Sequence, residues 1–269
     1  MRLSIEADLD YHFPEAADVL LQIEVAAMAD QRIEAEALTI WSDTPIRAVL
    51  GEEGIGQRCW GRGEGGWRAA YRATVAIERP AVDLAALPAA SPRSLDGHLT
   101  SFLLPSRYCQ SDRFEGFVAR EFAGLTGGAL AAALAEWVRT SLDYRANAST
   151  GETTALDTFA SRSGVCRDYA HLMVALARAG GIPARCVSAY APGVDPPDFH
   201  AVAEVWLAGG WHLVDATAMA SCTDLARVSV GRDATDIAFM TVFGRAELRR
   251  QTVRVRALDG APGGTPGTA

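Results

Sequence analysis

Three side chains in the second half of the chain have the types and the order that acyl transfer requires: Cys166, His200 and Asp215. Cys166 opens the run "CRDYAHLMVALARA", which is apolar around most of its circumference and stops at Gly180-Gly181 before Ile182-Pro183. The spacing predicts a helix from about Val165 to Ala179 with the cysteine in its first turn. Unpaired amide N–H groups at a helix start favour negative charge on a nucleophile there and can face an oxyanion. Position alone does not make a nucleophile, because cysteine is also a common core residue.

His200 opens the alternating run "HAVAEVW", and Asp215 closes "WHLVD" on the far side of the turn signal "LAGG". A hairpin loop centred between Leu207 and Ala208 pairs His200 with Asp215 directly; a loop of Leu207 to Gly210 sets Asp215 opposite Val202, one diagonal step away. A tight Gly209-Gly210 turn would instead put Asp215 opposite Glu204, about 13 Å along the strand from His200. A functional pair therefore predicts a loop centred near Ala208. Asp215 would then fix the His200 tautomer and leave the other ring nitrogen for Cys166. Taken singly, a histidine at a strand end is a surface or structural residue, and an aspartate before Ala-Thr caps a turn. The combination of a helix-start cysteine with a histidine and an aspartate on adjacent antiparallel strands makes nucleophile, base and orienter converge.

The elements that must hold these residues follow from periodicity. From Leu3 to Tyr11 apolar and polar residues alternate, and "DVLLQIEVAA", "RIEAEALTIW" and "WRAAYRATVAIER" are further strand-like runs. The Gly-rich "GEEGIGQRCWGRGEGG" suits hairpin turns. Residues 1–95 thus read as an antiparallel β domain of sandwich type, with "ALPAASPRS" as linker. Beyond it, Asp112 is placed to cap a short helix, "GGALAAALAEWVRTSLDY" is helical, and "RCVSAYA", "FHAVAEVWL" and "WHLVDAT" are strands. Helices followed by a sheet give an α+β second domain over 96–258. The Gly/Pro-rich residues 259–269 have too little apolar content to fold.

The 269 residues carry a net charge of −8. That balance offers no clustered basic surface and argues against a nucleic-acid partner. No apolar run is long enough to span a bilayer, and the start lacks the continuous apolar block of a signal peptide, so the expectation is a cytoplasmic protein with no membrane partner. Cys59, Cys109, Cys166, Cys186 and Cys222 show no CxxC and no close pairing, so neither metal nor disulfide is signalled. Cys109 is read as packing at the domain junction, and His171, five residues beyond Cys166, as turned well away from it. Tyr144 is a weaker candidate for an oxyanion donor.

At "SGVCRDYAHLMVALARAGGIPARCVSAY" and "FHAVAEVWLAGGWHLVDAT" the sequence resembles the transglutaminase-like superfamily, whose core is related to papain-type cysteine proteases. The resemblance covers roughly residues 110–220 and puts Cys166, His200 and Asp215 on the family's catalytic triad. "LPSRYCQSD" and "GRDATDI" are similar to a bacterial branch with an N-terminal β domain. Animal crosslinking members have Gln before and Trp after the nucleophile, whereas Val165 and Arg167 stand here, as in the protease-like bacterial members. The resemblance implies a papain-like fold and a cysteine hydrolase that forms a thioester with a peptide or isopeptide substrate, with no cofactor. The alternatives are an acyltransferase that delivers the acyl group to an amine, and a non-catalytic interaction module.

Overall fold

Alternation along the first strand sets the architecture. Leu3, Ile5, Ala7, Leu9, Tyr11 and Phe13 are buried while the residues between them are less covered, as a two-residue period requires. The computed structural model describes residues 1–42 and 44–258. Its strands are β1 (Arg2–Leu21), β2 (Gln31–Trp41), β3 (Arg47–Leu50), β4 (Gln57–Ile77), β5 (Asp143–Tyr144), β6 (Ser163–Gly164), β7 (Ala184–Tyr190), β8 (His200–Leu207), β9 (Gly210–Val214), β10 (Ala226–Gly231), β11 (Met240–Phe243) and β12 (Glu247–Ala257). Its helices are α1 (Gly97–Thr100), α2 (Glu115–Glu121), α3 (Gly127–Ser141), α4 (Ala155–Ser161), α5 (Cys166–Ala179) and α6 (Ala234–Ile237). The fold is α+β, with antiparallel main sheets and the helices gathered between their strands.

In the first sheet β1 pairs with β4, and β4 pairs with β2 and β3. The expected sandwich takes the form of one continuous hydrogen-bonded sheet, because β1 and β4 run unbroken for 20 and 21 residues. Most of the Gly-rich stretch read as a turn lies inside β4. A Cβ on Gly63 would sit 2.5 Å from the Phe13 ring, and the register slips between Phe13 and Ala17. Glycine here lets a strand pass under an aromatic ring at a bulge.

The other edge of β1 is covered by β12 and β11, which come from the end of the described chain. Linker position assigns residues up to 258 to the second unit, but the last two strands, β11 and β12, pair with the first sheet, where Val253 fills its core. The tail expected at 259–269 falls outside the described residues.

The second sheet has the order β10-β7-β8-β9. Helix α5 packs between this sheet and α2, α3 and α4, and Leu172, Met173, Val174 and Leu176 are buried in the shared core. Asp112 does not cap α2; it sits in a 3-10 turn, Ser111–Arg113, and the helix starts only after Phe114 has turned its ring into that core.

The two sheets are pinned together. Tyr190 donates its hydroxyl to the Ile23 carbonyl at 2.8 Å, and the Ala26 amide donates to the Arg227 carbonyl at 2.9 Å. Glu204, 0% exposed, receives Arg185 on one carboxylate oxygen and Arg227 on the other, each at 2.7 Å. Arg227 continues to Asp30. A buried carboxylate between two guanidiniums is held by paired hydrogen bonds on both oxygens.

Candidate active site

The start of α5 is built by a close approach. β5 and β6 form a short parallel ladder, Asp143 with Ser163 and Tyr144 with Gly164, which carries the chain up to Val165 in extended conformation. The Asp168 carboxylate reaches back to accept the Val165 amide at 2.8 Å, and the Asp168 amide donates to the Val165 carbonyl at 2.8 Å. This satisfies a helix-start donor and fixes the turn. Cys166 is the first residue of the helix, with its Sγ 3.9 Å from the Phe199 carbonyl oxygen. Arg167 donates to Ser149, to the Thr150 carbonyl and to Asp168, tying the loop after Tyr144 to the same helix end.

His200 and Asp215 meet as the hairpin arithmetic requires. The β8–β9 loop is Ala208-Gly209, both with positive φ, and Leu207 pairs with Gly210. Continuing that register sets Asp215 level with Val202, the diagonal arrangement, and excludes the Gly209-Gly210 turn. Both side chains are buried, with His200 Nε2 3.0 Å from Asp215 Oδ2. Thr217 donates its amide (2.9 Å) and hydroxyl (2.6 Å) to the other oxygen of Asp215, and the Ala220 amide donates to Oδ2 at 3.0 Å. Asp215 is thus both a turn cap and the partner of His200.

Burial pushes the His200 imidazolium down, but hydrogen bonding to Asp215 and interaction with Cys166 outweigh it and raise the pKa to about 9. Burial pushes the Asp215 carboxyl up, and the bonds from His200, Thr217 and Ala220 bring it below the usual carboxylate range. With Nε2 on Asp215, His200 Nδ1 is buried without another partner and is the nitrogen left for the Cys166 side. A thiol, an imidazole and a carboxylate in series can pass a proton between sulfur and a reacting group.

Tyr144, expected to end the helix before the site, lies instead in β5, three residues beyond α3. Its hydroxyl interacts with both the backbone amide and the thiol of Cys166. Burial, then the negative charge that Cys166 can carry, pushes it up to about 12, so it remains an O–H donor at neutral pH. Asp198 lies near the same hydroxyl and is held by Gln251 of β12, so the first sheet reaches the rim of the site. Phe199, whose carbonyl faces the sulfur, stacks its ring on Phe239 at 4.5 Å between centroids and meets Tyr190 at a tilt at 5.6 Å.

The structure brings Cys166, His200 and Asp215 together, leaves Cys59 beside Glu24 in the first half, and sets the half-buried Cys222 thiol against the backbone of Asp215. Cys109 is buried in the core of the second half, where Cys186 and His171 join it. Sequence reasoning passes over Asp168, although an acid at the third helical position is the ordinary signal of a capped start.

A family profile described as the transglutaminase-like superfamily matches residues 118–216. The crystal structure of a candidate cysteine protease from Cytophaga hutchinsonii is similar over 97% of this chain and 92% of that one, with 31% identity and a TM-score of 0.92. An uncharacterized protein of Mycobacterium leprae is 37% identical over 115 residues, 39% of this chain and 41% of that protein. One of Mycobacterium tuberculosis is 35% identical over 82 residues, 27% of this chain and 26% of its own length. The chain therefore spans less than half of the mycobacterial relatives it matches.

Proposed function

The chain belongs to the transglutaminase-like superfamily, and from that premise we propose that it is a cysteine-dependent hydrolase of peptide or isopeptide amide bonds. The observation that carries the reading is the 3.0 Å bond between His200 and Asp215, with the remaining nitrogen of His200 buried and turned to Cys166.

Cys166, its proton held by His200, attacks the amide carbonyl. The Cys166 amide and the Tyr144 hydroxyl receive the oxyanion, since the hydroxyl lies against both that amide and the thiol. His200 then protonates the leaving amine, giving a thioester on Cys166, and afterwards takes a proton from the water that hydrolyses it. Asp215, fixed from three other donors, keeps the ring in one tautomer throughout.

The alkylation rate of each cysteine, followed by peptide mass spectrometry in the wild type and in His200→Ala, tests this directly. Cys166 reacting fastest, and losing that advantage in His200→Ala, supports an activated nucleophile. A Cys166 rate equal to that of the other cysteines overturns it. A peptide screen with a labelled primary amine present then separates the chemistries, because preferential amine incorporation would make the protein an acyltransferase.

A further inference from the structure

Behind α5, on the side away from Cys166, three chemically active side chains meet in the core: Cys109, His171 and Cys186. They come from the segment before α2, from α5 and from β7. Their two sulfurs and one nitrogen of the imidazole lie within 4.8 Å of one another, and each residue is 0% exposed. The Ala234 amide donates to His171 Nε2 at 3.0 Å, so that nitrogen carries a lone pair and the ring proton sits on Nδ1. Nδ1 is buried with no hydrogen-bond partner. Tyr108 stacks on the ring at 5.1 Å and holds its plane.

A buried N–H donor on a ring that meets two sulfurs, with nothing to receive it, is complete only if a sulfur becomes a strong acceptor. We propose that Cys109 and Cys186 form a two-sulfur site for a thiophilic monovalent metal ion, Cu(I), with His171 Nδ1–H donating to a metal-bound thiolate. As the ion enters, each thiol releases its proton, so one positive charge replaces two protons between the sulfurs. Arg178 lies nearby and donates only to carbonyl and hydroxyl oxygens, those of Ala184, Leu104, Arg232 and Ser106. Its charge faces the anionic centre that results, while Asp233, the neighbouring acid, is occupied by the Tyr108 and Thr235 amides.

Zinc does not fit. It takes four ligands in structural sites, and here two thiols are present while the ring offers a proton where a lone pair would be needed. A disulfide does not use the arrangement either, because its neutral sulfurs are poor acceptors for the Nδ1 proton. Two soft sulfurs in a closed core suit Cu(I).

The test is anaerobic titration of the full chain in a Cys166→Ala background with Cu(I), in competition with bicinchoninate, alongside the same titration with Zn(II). The expected result is one equivalent of Cu(I), two sulfur neighbours by X-ray absorption, and loss of binding in Cys109→Ser and in Cys186→Ser. Cys222→Ser keeps the site. His171→Phe, which preserves the stacking, retains both sulfur neighbours and weakens binding by about 10- to 100-fold. Thermal melts of the serine variants, unchanged in shape, separate loss of ligand from loss of fold. Three results overturn the proposal: Cu(I) binding unaffected by either serine variant, Zn(II) binding with nitrogen in its shell, or a protein two hydrogens lighter with Cys109 and Cys186 joined.

Discussion

A Cβ on Gly164 would lie 2.6 Å from the Cβ of Asp168 and 2.9 Å from one of its carboxylate oxygens. That contact is the reason the carboxylate can reach back to the Val165 amide and set the first turn in which Cys166 stands. Gly164→Ala forces the two apart and is expected to cost about 1–3 kcal/mol. A lowered melting temperature together with slower Cys166 alkylation is the expected outcome; unchanged values for both would mean the approach is not needed.

Tyr144→Phe removes a donor and leaves the ring. Peptide hydrolysis is expected to fall by about 10²- to 10³-fold, while Cys166 alkylation, which forms no oxyanion, changes little. Equal loss in both assays would place Tyr144 with the activation of the thiol.

Asp215→Asn tests what raises His200. With the carboxylate gone, burial is the largest remaining influence, and the imidazole is expected to titrate well below its present value of about 9. The ring C–H resonance of His200, followed by NMR against pH, reads this. A titration still near 9 would assign the elevation to Cys166 alone.

The raised imidazole also makes stability depend on pH. A folded pKa of about 9 against an unfolded value of about 6.5 means that protonated His200 favours the native state. The contribution is complete below about pH 6.5 and disappears as pH rises through 9, with roughly 1.4 kcal/mol lost for each pH unit crossed between those two values. The melting temperature of the wild type should therefore drop between about pH 7 and pH 9.5 more steeply than that of His200→Gln. Parallel curves would refute the linkage.

Glu204→Gln leaves Arg185 and Arg227 buried with no full countercharge between them. The expected loss is about 3–5 kcal/mol, read as a lower denaturant midpoint. A loss under about 1 kcal/mol would mean that Asp30, the other acid on Arg227, is sufficient.

Much of the site is legible in the sequence because its signals are local. The cysteine helix, its Gly180-Gly181 end and the two strands flanking Ala208 each occupy one continuous stretch, where period and punctuation are explicit. Asp168 is equally local, an acid at the third position of the helix that Cys166 opens. The remaining surprises depend on residues distant in the chain. Gly63 belongs to a strand only because Phe13 covers it, and the pairing of β12 with β1 joins Leu3 to Ala257. No CxxC could announce Cys109, His171 and Cys186, whose grouping exists only after three elements have packed.

The pairing of Leu3 with Ala257 also fixes an order of events during synthesis. When β1, β2 and β4 have left the ribosome they can zip together, yet β1 still presents a bare edge along most of its length. Every residue that supplies the thiol, the imidazole and the carboxylate is translated before the strands that cover that edge. The nascent β sheet must therefore wait, open on one side, while the polypeptide between β4 and β11 emerges, and a chaperone or a second nascent chain would find its docking strand in that interval.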